Sequence, residues 1–267
     1  MADAFRYLRL SEPGEVLWVT INRPGDRNSL NSELMAEITS LLDQVERTSA
    51  RALVFTGAGE TFFIGGADGV EMMQLKPEGL RVFSRRIQAL CRRLEQSRLI
   101  LVAAIDGLCY GGGFEFALAC DLRVATSTSR IGLPEVKVGL IPGGGGTQRL
   151  PALVGLGRAM EMILAGRLYK GDEAAREGLI HQAVEPGHLK LGVQTLLDPM
   201  LKRPQYVLSL AKQAVYASRT PEGLEVESEL FSRCLEHDFF SKLMRQQLKS
   251  GVLKTTLDVS NLIEEED

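Results

Sequence analysis

The segment LILVAAIDGLCYGGGFEFALAC, residues 99–120, limits the folds open to this chain more than any other. Its first seven residues are apolar without alternation, the pattern of a strand buried on both faces, and such strands belong to parallel sheets covered by helices. A triple glycine, 111–113, then stands directly before a helix-like run. That run carries one acid, Glu115, among Phe114, Phe116, Ala117, Leu118, Ala119 and Cys120. A carboxylate in such company costs about 2–5 kcal/mol unless it is paired, hydrogen-bonded or protonated. Three glycines together favour no regular structure. Both features require a reason.

The surrounding chain repeats the alternation of strand and helix. EVLWVTIN (15–22) reads as a strand ending at an Asn-Arg-Pro-Gly turn. From Asn31, helical spacing sets Leu34, Ile38, Leu41, Leu42 and Val45 on one face, with Asn31 or Ser32 as cap. RALVFTG reads as a short buried strand. Residues 78–96 are helical through Leu80, Phe83, Ile87, Leu90 and Leu94, a helix is expected over 113–120, and LRVATS forms the next strand. This order predicts an α/β fold with much parallel pairing. Beyond Pro142 the character changes: IPGGGGTQRL leads into helical pieces near 157–165 and 172–177, a strand HQAVEP, and then helices almost to the end. In the last of these, Leu230, Phe231, Cys234 and Leu235 form an apolar stripe, and the terminal IEEED is expected to fray.

Composition excludes several classes of function. With 31 basic and 34 acidic residues the net charge is −3, and no Lys/Arg-rich run stands out, which argues against nucleic acid or an acidic membrane surface as partner. The four cysteines show no CxxC spacing and the three histidines are scattered, so the pattern of a zinc site is missing. The N-terminal MADAFRYLRL lacks a signal-peptide core, and the longest apolar run is far below a membrane span, from which a soluble cytoplasmic protein is expected.

GAGETFFIGG has no third glycine at the dinucleotide offset, and neither GxxxxGK[ST] nor GxSxG occurs. Two glycine loops remain. Residues 111–113 set backbone N–H groups at the positive end of a helix, and FFIGGADGVEMM (62–73) follows a buried strand. Two such loops converging on one carbonyl oxygen would make an oxyanion hole; each alone is a tight turn. Glu115 and Glu135, the latter in IGLPEVKVGLIPGGGG, both lie in poorly solvated sequence. They can perturb each other's pKa as acid and base, or each can be a structural acid paired with Arg123, Lys137 or Arg149.

Taken together, INRPGDRNSLNSEL, FFIGGADGVEMM, IDGLCYGGGFEFALACDLRVA and GLPEVKVGLIPGGGGTQRLPALVG resemble the enoyl-CoA hydratase/isomerase (crotonase) superfamily, over about residues 15–185 and most specifically over 106–151. The resemblance implies a spiral of ββα units over 1–195 and a C-terminal helical lid or oligomerisation region over 196–267. It also implies trimers that can pair into hexamers, and an acyl-CoA thioester substrate that brings the only CoA, with no further cofactor and no metal. By motif, the hole donors are the N–H groups of Ala67 and Gly112. Glu115 and Glu135 are the catalytic acids of a hydratase, and the Gly143 N–H helps hold the water. Arg27, Ser29, Gly66 and Asp68 contact CoA. The chain departs from the pattern at Gly65-Gly66-Ala67-Asp68-Gly69-Val70, where the family commonly has Ala-Gly-Ala-Asp-Ile-Lys, and again in its C-terminal ending. Phe114 stands where a smaller residue is common. The implied activity is reversible hydration of the 2,3 double bond of an enoyl-CoA. The alternatives are a Δ3–Δ2 enoyl-CoA isomerase or a carrier-linked dehydratase or decarboxylase of the same superfamily.

Overall fold

Apolar runs become strands and amphipathic runs become helices in the computed structural model of the protein, which describes residues 5–250. In chain order the elements are β1 (Leu8–Leu10), β2 (Val16–Ile21), α1 (Ser32–Val45), β3 (Ala52–Gly57), β4 (Phe62–Ile64), α2 (Gly69–Met73), α3 (Pro77–Glu95) and β5 (Ile100–Ile105). There follow β6 (Leu108–Tyr110), α4 (Gly112–Ala119), β7 (Leu122–Thr126), β8 (Arg130–Gly132), α5 (Gly146–Val154) and α6 (Leu156–Ala165). The series continues with β9 (Leu168–Lys170), α7 (Gly171–Arg176), β10 (Gln182–Val184) and α8 (Leu189–Leu201). The chain divides into two compact units, residues 1–203 and 204–267.

Successive strands of the first unit are dealt to two sheets. One has the order β1-β2-β3-β5-β7-β10 and the other β4-β6-β8-β9. All pairings are parallel except β1 with β2 and β8 with β9. From β3 to β8 the chain therefore alternates between the two sheets, one strand to each, with helices after β4, β6 and β8, which is the ββα spiral. The run at 100–105 is buried at every position of β5, as its lack of alternation requires. Helix α1 buries Leu34, Ile38, Leu41, Leu42 and Val45 on one face. The Asn31 side chain caps it, accepting the Leu34 N–H at 2.8 Å.

Helix α4 is buried along its whole length. Its close seat on β4 depends on Gly113, where a Cβ would overlap the Ile64 carbonyl oxygen. Phe114 and Phe116 lie in the core, Phe116 edge-on to Phe55 with ring centroids 5.1 Å apart. Cys91, Cys109 and Cys120 are buried and Cys234 is half-buried.

The structure departs from the sequence expectations in three places. The three-residue strands β1, β4, β6, β8 and β9 are too short to show a period. The helix expected near 157–165 is α6, and ahead of it stands a further helix, α5, that begins in the glycine run, where its first N–H, that of Gly146, meets a buried carboxylate described below. Leu80 of α3 is half-buried in a cavity wall instead of joining Phe83, Ile87, Leu90 and Leu94 in the core.

The second unit contains α9 (Gln205–Ala217), α10 (Gly223–Arg233) and α11 (Phe239–Lys249). Of the expected stripe, Leu230 is buried and Cys234 half-buried, whereas Phe231 and Leu235 are exposed. The terminal IEEED lies outside the described residues. No described helix is long and apolar enough to cross a membrane.

Candidate active site

The first turn of α4 carries Glu115, 2 % exposed. Its Oε1 accepts the N–H of Gly144 at 2.7 Å and that of Gly146 at 2.8 Å. Gly146 opens α5, so the carboxylate sits at that helix's positive end. The glycines make room for it: a Cβ at 144 would lie 2.6 Å from Oε2, and one at 146 would lie 3.0 Å from Oε1. Burial, the largest influence, raises the Glu115 pKa, while the Gly146 and Gly144 N–H bonds and the Arg149 charge draw it back.

Glu135 begins a tight 3-10 turn, Glu135–Val138, that closes at Gly139 in the left-handed region (φ 76°). Both its carboxylate oxygens are buried without a hydrogen bond from another described residue. Oε1 faces Gly111, where a Cβ would come within 3.4 Å. Burial and then the neighbouring Glu115 charge push its pKa up to about 7. The two acids are thus electrostatic neighbours with different surroundings. Glu115 has donors that favour its ionised form, and Glu135 has none. In both acids burial raises the pKa, so the pair is disposed to keep a proton near neutral pH.

The pairings that would make these acids structural are absent among the described residues. Arg149 is in a two-pronged ion pair with Glu95, at 2.8 and 3.0 Å. Arg123 spends its guanidinium on the carbonyls of Leu179, Ala117 and Cys120. Neither acid forms an ion pair with a described residue.

Next to the acids, the N-terminus of α4 meets the loop after β4. A Cβ on Gly112 would stand 3.0 Å from the Ala67 nitrogen, so the absent side chain leaves the space in front of that N–H open. Gly112 is the first residue of α4 and its N–H has no partner within the helix. Ala67 is bridged to Leu30 in parallel register, a pattern in which Leu30 bonds Gly66 and Asp68 and spares the Ala67 N–H. Two N–H donors and two buried carboxyl groups at one place can stabilise an oxyanion while moving a proton on and another off.

A cavity of about 1000 Å³ runs from Ala67 along the loop after β2. Arg27, Ser29 and Asp68 line it, and Gly66 supports the wall through its carbonyl, which accepts the Leu30 N–H at 2.9 Å. Arg27 is exposed, in a left-handed turn (φ 58°). The Ser29 hydroxyl donates to the Asp26 carbonyl. The Asp68 carboxylate is occupied within the protein: it caps α2 through the Val70 and Glu71 N–H groups and pairs with buried Arg23 at 3.2 Å. Val70, in place of the usual Lys, is exposed on this wall. With Met73, Val138 and Leu140 it gives the cavity an apolar lip.

Sequence reasoning missed the donors at Gly144 and Gly146 and the residues that hold their loop. The glycine run itself was the available signal, since the four glycines 143–146 leave backbone N–H groups as natural partners of a buried acid.

A sequence model of the enoyl-CoA hydratase/isomerase family matches residues 11–250. Among individual proteins, the chain is 38% identical to a short-chain-enoyl-CoA hydratase of Clostridium acetobutylicum, over 84% of this chain and 88% of that one. It is 33% identical to a crotonyl-CoA hydratase of Syntrophomonas wolfei, over 86% and 90%. The crystal structure of an enoyl-CoA hydratase from Bacillus anthracis superposes with a TM-score of 0.84 at 31% identity, covering 92% of this chain and 97% of that one.

Proposed function

The chain belongs to the enoyl-CoA hydratase/isomerase family, and from that premise we propose that it adds water reversibly across the 2,3 double bond of an enoyl-CoA thioester, with Glu115 and Glu135 moving the protons. The observation that carries this assignment is the contrast between the two acids. Glu115 accepts two backbone N–H groups and Glu135 is buried without a bond from another described residue, beside the N–H groups of Ala67 and Gly112.

In the forward direction the Ala67 and Gly112 N–H groups bind the thioester oxygen as the enoyl system becomes enolate-like. Glu115 accepts a proton from water as its oxygen bonds to C3, and Glu135 gives its proton to C2. The reverse reaction runs with the roles exchanged. The Gly143 N–H, which bonds to no described residue, is in this scheme a further hold on the water. No group beyond the substrate's own CoA takes part. Arg27, Ser29 and Gly66 lie along the CoA route, with Asp68 shaping that wall from within. Fatty-acid breakdown is the natural setting. A cytoplasmic location suits a chain whose four cysteines form no disulfide. Trimers, or hexamers built from two trimers, would cover the exposed Phe231, Leu235, Phe239 and Phe240 of the C-terminal helices.

The assignment is tested by mixing purified protein with crotonyl-CoA and following the enone absorbance. The expected result is a protein-dependent loss. A folded protein that leaves crotonyl-CoA, longer enoyl-CoA and branched enoyl-CoA all unchanged would rule hydration out.

The same scheme fixes a pH dependence. Forward and reverse reactions use the same singly protonated pair with its proton on opposite members, so kcat/KM in both directions has one bell shape. Activity falls on the alkaline side as Glu135, whose pKa is about 7, loses its proton, and on the acid side as Glu115 gains one. The alkaline limb of the crotonyl-CoA profile is expected to vanish from the residual activity of Glu135→Gln, and a folded Glu135→Gln protein that keeps the wild-type rate and that limb would break the two-acid scheme.

A further inference from the structure

We infer that Ser84 and Gln88 are positioning residues, which clamp the Gly143–Gly144 peptide and thereby fix the N–H that holds Glu115. The inference rests on the two-acid assignment above and extends it to residues outside the site. Ser84 and Gln88 are one turn apart on α3, on the same face. The Ser84 hydroxyl donates to the Gly143 carbonyl at 2.6 Å and the Gln88 amide donates to the same oxygen at 2.9 Å. That carbonyl and the Gly144 N–H belong to one peptide unit. Because the unit is planar and trans, holding its oxygen on one side aims its N–H on the other. The Gly144 N–H meets Glu115 Oε1 at 2.7 Å.

Glycine needs such a clamp. A Gly143–Gly144–Gly145 run has the widest backbone freedom of any sequence, and a peptide within it left to itself would turn its N–H away for part of the time. The next peptide is held in the same manner, since Arg149 Nη1 donates to the Gly144 carbonyl at 3.2 Å while Glu95 grips the rest of its guanidinium. Both side chains end on the Gly143 carbonyl, so both act through the glycine loop.

The test compares wild type with Ser84→Ala/Gln88→Ala and with Ser84→Thr/Gln88→Ala, which restores one hydroxyl donor. For the first variant kcat with crotonyl-CoA is expected to fall roughly 10–100-fold, the scale of a misplacement of up to about 1 Å, with KM within about twofold of wild type. The acid limb of the rate profile should move to higher pH, because a donor favouring ionised Glu115 is loosened. The titratable and charged groups that face Glu115 are Cys91 from α3, Glu135 from its turn and Arg149 from α5, and none is altered. The Ser84→Thr/Gln88→Ala variant should recover much of the loss.

A second readout does not need activity: the 13C titration of the Glu115 carboxyl, assigned by its disappearance in Glu115→Gln. It is expected to shift to higher pH in the double alanine variant. Wild-type kcat and an unmoved Glu115 titration in a folded double variant would overturn the inference. A wild type that hydrates nothing, with the Glu115 titration still shifted in the double alanine variant, would leave the clamp standing and overturn the hydratase assignment instead.

Discussion

Glu115→Gln is expected to lower kcat for crotonyl-CoA hydration by about 10²–10⁴-fold, the range over which a positioned acid or base contributes to a rate. The amide keeps an oxygen for the Gly144 and Gly146 N–H groups, so the α4–α5 junction should hold and melting should change little. Glu135→Gln is expected to cost a similar factor for a different reason: it removes the proton that must reach C2. The two losses should not multiply in the double variant, because in the proposed scheme the two acids work as a unit. Spectrophotometric rates of the three variants, with circular dichroism as the check on folding, decide the matter. A Glu115→Gln protein that loses hydration but still moves a 3,4 double bond into conjugation would identify the isomerase reaction, for which one acid is enough. Two variants at wild-type rate would remove both glutamates from the chemistry.

Gly112→Ala is expected to cost roughly 10²–10³-fold in kcat, the scale of losing one donor of an oxyanion hole. The added methyl would stand 3.0 Å from the Ala67 nitrogen and 3.3 Å from the Gly66 carbonyl carbon, which crowds the place proposed for the thioester oxygen. One residue on, the same substitution acts differently. A Cβ at 113 would strike the Ile64 carbonyl, and Gly113→Ala should lower the melting temperature instead of acting mainly on the rate. Thermal melts and rates measured on both proteins separate the two effects. Equal destabilisation by both would mean that Gly112 is only a packing glycine.

The difference between these neighbouring glycines shows what a sequence can and cannot state. Both appear as letters in the same triple, and only the packing of α4 on β4 tells which faces a backbone wall and which faces an open N–H. The acids present the same contrast. Glu115 stands out in sequence because an apolar helix cannot carry an unexplained carboxylate. Its partners lie 29 and 31 residues away, in a loop that local patterning leaves without structure. Asp68 illustrates the opposite case: a conspicuous acid beside the cavity whose carboxylate is taken up by a helix cap and by Arg23.

What the chain determined by itself is the layered α/β fold. Uninterrupted apolar runs require cover on both faces, helical spacing supplies that cover, and both signals are local and survive in a string of letters. The short strands of the second sheet, the extra helix α5 and the different environments of Glu115 and Glu135 were decided only in three dimensions. They depend on which backbone N–H and C=O groups meet across the fold. Main-chain groups are the same in every residue but proline, so they leave no mark on the sequence until tertiary packing brings them together.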